Sequence, residues 1–282
     1  MQHDDSRDGI SGQLRRYGVA PRKRLGQNFL QDRSYLKLIL DAADLSSEDE
    51  ALEIGAGTGV LTRALLERAR RVVAVELDDS LVALLQSQLN SASNLEVWHG
   101  NALDFDPEKT FPGEYKLFGN IPYYITGPLV RRFLEVDRKP SVLILMVQRE
   151  VAERIIAPPG HLSVLGVSVQ YYAQADVVAR VPAKAFYPVP KVDSAILRMR
   201  PKIGPSPVDP EFFFPIVKAG FSMKRKQIAN SLSAGLQLSR AHTQDLLRMA
   251  EIDATRRAET LSVKEWETLA NVILTESSPV VF

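Results

Sequence analysis

The stretch Leu52-Glu53-Ile54-Gly55-Ala56-Gly57-Thr58-Gly59 decides the fold. An apolar run at 51–54 leads into three glycines at alternate positions, and a helical pattern opens at Gly59 and continues to 69. Glycine lets the chain turn sharply between strand and helix, and lets a ligand approach the main chain. The next acid at a strand end is Glu76, one strand–helix unit later. A carboxylate there can accept hydrogen bonds from ribose hydroxyls. A nicotinamide-binding loop follows similar logic, but here the spacing is Gly-x-Gly-x-Gly, with Val60 where the dinucleotide fingerprint has glycine. The loop reads as the seat of a nucleoside cofactor that carries no pyrophosphate. Gly55, Gly57 and Glu76 are its expected lining. Asn101, after the third strand, falls where a side chain can touch the cofactor's adenine.

Working outward, strands and helices alternate. Short apolar runs predict strands at 72–76, 94–98 and 115–119, and a buried strand at 141–147. Helical periodicity predicts helices at 34–43 and 79–89, one from Pro128 towards Glu135, and one on each side of Pro158-Pro159-Gly160. Two later strands, near 177–181 and 194–199, are expected to close the sheet as an antiparallel pair. This alternation predicts a doubly wound α/β sheet. The stretch 201–210 holds four prolines and a glycine, a linker composition. Beyond it only helical patterns follow, at 212–219, 224–232, 239–250 and 262–274. The expected organisation is a polar N-terminal arm (1–20), an α/β cofactor-binding domain (21–204) and a small all-α domain (205–282).

With 45% hydrophobic and 24% charged residues, the chain has a globular composition. It has no cysteine and four scattered histidines, so no disulfide and no metal site is expected. Neither a secretory leader nor a membrane-spanning run is read in it, and a cytoplasmic monomer is the expectation. A net charge of +1 speaks against indiscriminate coating of nucleic acid. The charge is unevenly placed. Arg15, Arg16, Arg22, Lys23 and Arg24 lie between Gln13 and Gln31 with no acid among them. Lys218, Lys224, Arg225, Lys226 and Arg240 lie in the same way between Phe212 and Gln244. Two basic stripes on a nearly neutral chain suggest a defined phosphate-facing surface, although a solvated face is the commoner reason for any single charge run.

Asn120-Ile121-Pro122-Tyr123-Tyr124 follows the fourth strand. The exocyclic amine of adenine is a weak nucleophile because its lone pair is delocalised into the ring. Accepting hydrogen bonds from both amino hydrogens draws the nitrogen towards a pyramidal shape and frees that lone pair. Asn120 offers a side-chain carbonyl and Ile121 a backbone carbonyl. Pro122 biases Ile121 away from helical geometry and so helps to aim that carbonyl. Tyr123 offers a stacking face. Phe186, on the proline-stiffened loop 185–191, is the candidate for the opposite face. No strong general base is required, because the amine becomes acidic once alkylated; alignment and desolvation carry the catalysis. A cofactor loop followed by this loop reads as methyl transfer from S-adenosylmethionine to the amino nitrogen of a nucleobase.

Two further stretches join these loops: Arg22-Lys23-Arg24-Leu25-Gly26-Gln27-Asn28-Phe29-Leu30, and the block from Phe186 to Ile196, FYPVPKVDSAI. The four together resemble the small-subunit ribosomal RNA adenine N6-dimethyltransferases, from about residue 20 to the C-terminus. The resemblance implies a class I (Rossmann-like) methyltransferase core with a helical C-terminal domain. It implies transfer of two methyls to each of two adjacent adenosines in a hairpin near the 3′ end of 16S rRNA, within the small subunit or its precursor. It places Asn28, Leu30, Gly55, Glu76, Asn101 and Asn120 at the cofactor, and Asn120, Tyr123 and Phe186 at the target adenine. It makes 221–232, with Lys224, Arg225 and Lys226, a basic helix that meets rRNA. Asn101 stands where the family usually has Asp; it keeps a carbonyl acceptor and loses the charge.

Two rival readings stay open. The large-subunit rRNA adenine methyltransferases of macrolide resistance share both loops, while the 186–196 block and the 221–232 pattern lean towards the small-subunit type. A non-catalytic ribosome assembly factor would keep such a pocket as a relic; Asn120, Pro122 and Tyr123 weigh against it. An oxidoreductase is a distant third, set aside by Val60.

Overall fold

The apolar runs on either side of the glycine loop become the middle of a seven-stranded sheet. The computed structural model describes residues 9–121 and 125–276. In chain order, α1 (Gly9–Arg16) precedes the two-residue β1 (Phe29–Leu30) and α2 (Ser34–Ala42). Strand and helix then alternate through β2 (Glu50–Ile54), α3 (Val60–Leu66), β3 (Arg71–Glu76), α4 (Asp79–Leu89) and β4 (Leu95–His99). After the short α5 (Pro107–Thr110) come β5 (Lys116–Asn120), α6 (Thr126–Glu135), β6 (Val142–Gln148) and α7 (Arg149–Ile155). The helix α8 (Val164–Tyr172) leads into β7 (Ala173–Val181), the two-residue β8 (Phe186–Tyr187) and β9 (Ser194–Pro201). The described chain ends in α9 (Pro210–Phe221), α10 (Ile228–Gly235), α11 (Arg240–Met249) and α12 (Val263–Glu276).

The large sheet has the order β4-β3-β2-β5-β6-β9-β7. From β4 to β6 the neighbours are parallel, and β9 runs antiparallel to β6. Parallel strands are covered on both faces, which explains their unbroken apolar runs. Leu52, Val72, Val73 and Leu143 are all fully buried. β2 pairs with β3 on one side and with β5 on the other. The chain reverses its direction of build-up there, and such a switch point opens a crevice at the carboxyl ends of the strands. Side-chain caps set several helix starts, as Asp78 does for α4 by accepting from the Ser80 N–H. Among the described residues no helix is long and apolar enough to cross a membrane.

Internal contacts divide the residues into two units. One holds the sheet and comprises the chain up to Ala152 together with Gln174–Pro201. The other is helical and comprises Glu153–Ala173 together with the chain from Lys202 onward. The expected division at 204/205 lies three residues from the observed break but omits the excursion Glu153–Ala173. Packing at long range causes that excursion. The Tyr171 ring stacks on Phe213 with centroids 4.2 Å apart, its hydroxyl donates to the Val208 carbonyl, and the Lys202 N–H donates to the Tyr172 carbonyl at 2.8 Å.

Two further expectations need correction. The polar arm expected over 1–20 is a helix from Gly9 to Arg16, and Ile10 and Leu14 bury one of its faces against Phe29 and Leu81. The helix expected at 224–232 begins only at Ile228, so Lys224, Arg225 and Lys226 form an exposed turn before it.

Candidate active site

The carboxyl ends of β2, β3 and β5 and the turn after β4 open on one cavity of about 330 Å³, a volume typical of small-molecule sites. Gly55 and Gly57 line it from the loop after β2, and Glu76 from the end of β3. Asn101 lines it after β4, and Asn120 and Ile121 at the end of β5. The segment 25–29, including Asn28, forms a further wall.

The loop after β2 needs its glycines for backbone reasons. Gly55, Gly57 and Gly59 have φ of +74°, +58° and +77°, a left-handed region that side chains rarely adopt. A Cβ on Gly57 would also stand 3.1 Å from the Phe29 ring. A Cβ on Gly55 would stand 3.4 Å from the Asn120 carbonyl oxygen, so the cofactor loop and the amine loop abut.

Glu76 is 7% exposed. Its Oε2 accepts from the Gly57 N–H at 2.8 Å, and its Oε1 from the N–H groups of Leu77 and Asp78, both at 2.9 Å. A carboxylate offers about four lone-pair sites. These three bonds leave one on Oε2, next to the glycine loop. Burial raises its pKa, against the pull of the three N–H donors. Asn120 donates through its side-chain amide to the Asn28 carbonyl at 2.9 Å. That bond orients the side chain, whose carbonyl is then the acceptor it can offer a ligand. Asn101 is exposed, and its side-chain Oδ1 accepts from the Leu103 N–H at 3.1 Å. Ile121 is buried and lines the cavity. Pro122 and Tyr123 lie outside the described residues.

Glu53, in β2 beneath the loop, is a second buried acid. It is 1% exposed, its Oε2 has no hydrogen-bond partner, and burial, reinforced by the Glu76 carboxylate, pushes its pKa up to about 8. Between its ordinary value of 4.5 and about 8, the folded chain holds a proton that the unfolded chain releases. Stability therefore falls as pH rises through that window. Glu53→Gln is expected to remove this slope. The variant should gain on the wild type, by on the order of a few kcal/mol, from the acid to the alkaline end of the window. Denaturant titrations at a series of pH values check this; parallel profiles for the two proteins would exclude a protonated Glu53.

Two of the expected site residues sit elsewhere, and a third lies at the edge of the site. Leu30 does not line the main cavity but a small one beside it, with Gly55, Gly57 and Asn120, and it joins the core cluster that contains Ile39, Phe118 and Ile196. Phe186 is in the same cluster and only 1% exposed. The cause is the pairing of β1 with β8, which sets Leu30 opposite Phe186 and turns the ring inward. In this arrangement Phe186 has no open face for a base and acts as core. Arg22, expected at RNA, is ion-paired with Asp78 at 3.2 Å. Arg24 is exposed, and the Lys23 side chain is outside the described part. Sequence reasoning gave no role to Leu25, Gln27 and Leu103, which also line the cavity. Gln27 was within reach, as a polar neighbour of Asn28 in a motif already singled out.

A glycine cradle, a buried carboxylate one strand later and an oriented amide at the switch point, on a sheet of this order, define a class I methyltransferase. Over residues 19–274 the chain matches the family described as ribosomal RNA adenine dimethylase. It is 44% identical over 260 residues to the Ribosomal RNA small subunit methyltransferase A of Dehalococcoides mccartyi (strain CBDB1), a match covering 90% of this chain and 88% of that protein. Among solved structures it is similar to a dimethyladenosine transferase from Plasmodium falciparum, with a TM-score of 0.77 and 26% identity over 88% of this chain and 98% of that one. It is also similar to a 23S rRNA methyltransferase, ErmE, with a TM-score of 0.70 and 30% identity over 87% of this chain and 99% of that one. The chain belongs to the ribosomal RNA adenine dimethylase family. It is an S-adenosylmethionine-dependent enzyme that dimethylates adenine in ribosomal RNA.

Proposed function

We propose that the chain methylates N6 of two adjacent adenosines in a hairpin near the 3′ end of 16S rRNA, giving two dimethyladenosines. In this reading it acts in the cytoplasm as a monomer on the small subunit or its precursor. The observation that carries the chemistry is the abutment of the two loops, with Asn120 oriented by Asn28 beside Gly55. The small-subunit name of a relative that matches 90% of this chain supports the choice of substrate.

When bound, S-adenosylmethionine supplies an electrophilic methyl on sulfur. The cavity suits it on two grounds: the glycine loop admits close approach, and Glu76 keeps one acceptor site for a ribose hydroxyl. Asn28, Asn101 and the loop glycines would complete the hold. At the other end, the Asn120 side-chain carbonyl and the Ile121 backbone carbonyl accept from the two amino hydrogens of adenine. The nitrogen lone pair is then localised and aimed. Tyr123, two residues after Ile121, would stack on the base. The proton leaves the alkylated amine for solvent, so no base is assigned. Arg24, Lys23 and the turn Lys224, Arg225, Lys226 would meet phosphates.

Glu76→Ala should weaken cofactor binding by about 1.5–3 kcal/mol, the range for a hydrogen bond to a charged group. It also strips the Gly57 N–H of its acceptor. Calorimetry with the cofactor measures the loss, and an unchanged affinity would remove Glu76 from the site.

The reading as a whole is tested by incubating purified small and large ribosomal subunits with the chain and cofactor, followed by mass spectrometry of the rRNA. Dimethyladenosine in 16S rRNA is expected. The likeness to ErmE favours the large-subunit alternative, and methylation confined to 23S rRNA would establish that instead.

A further inference from the structure

Asp78 is a charged side chain buried to 1% exposure at a junction that the chemistry above does not use. Its Oδ1 accepts from the Ser80 N–H and caps α4. Its Oδ2 accepts from the Gln27 side-chain amide at 3.1 Å and pairs with Arg22 Nε at 3.2 Å. Its own N–H donates to Glu76 Oε1. Gln27 closes the ring, since its side-chain carbonyl accepts from the Arg22 N–H at 2.7 Å. Arg22 lies just before the segment 25–29, which forms a wall of the cofactor cavity and of which Gln27 is itself a part. One of those positions, Asn28, accepts the Asn120 bond.

We propose that Asp78 and Arg22 are positioning residues for cofactor binding, their ion pair fastening the Leu25-to-Phe29 wall against the strand end that carries Glu76. A cap alone needs only a short acceptor, and Asn supplies one as well as Asp. The buried negative charge is explained by Arg22 and Gln27, which converge on the one oxygen that the cap leaves free. It follows that the Arg22 guanidinium serves the cavity wall and that the RNA-facing cations of this stripe are its neighbours. The inference rests on the cavity being the cofactor site.

The test uses the full chain with Asp78→Asn, Arg22→Gln, Arg22→Lys and the Asn/Gln double variant. Cofactor affinity by calorimetry, thermal unfolding, and the salt dependence of 30S binding are measured for each. Asp78→Asn keeps the cap, so its unfolding temperature should stay close to wild type. Its cofactor Kd should rise roughly tenfold, the factor for one lost charge-assisted hydrogen bond. Arg22→Gln should give the same rise, the double variant no more than either alone, and Arg22→Lys a partial rescue. The salt slope of 30S binding should be unchanged in Arg22→Gln. Three results would overturn the inference: cofactor affinity unchanged in both single variants, losses that add in the double variant, or a salt slope that flattens in Arg22→Gln. Wild-type protein that bound no cofactor would instead refute the reading of the cavity, so the two failures are told apart.

Discussion

Asn120→Ala is expected to lower the single-turnover rate of methyl transfer by about 10²–10³-fold, the usual cost of removing one oriented polar group from a reacting centre. The expectation rests on position. Asn120 is the last residue of β5, next to the switch point, and a Cβ on Gly55 would stand 3.4 Å from its backbone carbonyl oxygen. Its side chain is held by the Asn28 carbonyl. The variant loses the acceptor that localises the amine's lone pair, and it also frees Asn28 and with it the cavity wall. The effect should therefore fall mainly on the chemical step, with a smaller loss of cofactor affinity. RNA affinity should be nearly unchanged. Single-turnover assays with saturating cofactor separate these terms. A rate within about threefold of wild type would show that the amine is activated elsewhere.

Neutralising Lys224, Arg225 and Lys226 together should weaken small-subunit binding on the order of 10²-fold near physiological salt, and flatten its log–log salt slope by roughly 2–3. The structure strengthens the case for these three by taking them out of a helix. They are exposed in a turn immediately before α10. A helix N-terminus is the positive end of the macrodipole, so three cations there are electrostatically unfavourable until an anion joins them. Cofactor affinity should not move, because the cavity is lined entirely by residues of the other unit. A salt titration of 30S binding for wild type and triple variant gives both quantities. Parallel lines of equal intercept would leave the turn a solvated face.

The sequence alone determined the parts of the fold whose information is local. The run into Gly55-Ala56-Gly57-Thr58-Gly59, the acid at Glu76 and the alternation up to β6 follow from period, glycine and strand ends. The strands lie within a residue or two of their expected places, while the helix after Gly59 ends at Leu66 and not at 69, and the short α5 was not expected. Residues Gly55, Glu76, Asn101 and Asn120 come to one cavity because parallel strands share their carboxyl ends, which the alternation already implies.

What only the tertiary structure decided depends on partners far along the chain. Nothing between 224 and 232 breaks a helix. The helix starts at Ile228 because the N–H groups of Ile228 and Ala229 bond to the carbonyls of Arg256 and Ala254, with Gln227 extended before them. Phe186 reads as a base-stacking ring until β8 pairs with β1 and turns it into the core. Arg22 reads as a phosphate contact until Asp78, 56 positions later, is found to hold it. A motif specifies which groups are present. The burial of an aromatic ring and the pairing of a charge are set by whatever segment the fold brings against them, and that segment is not written beside them.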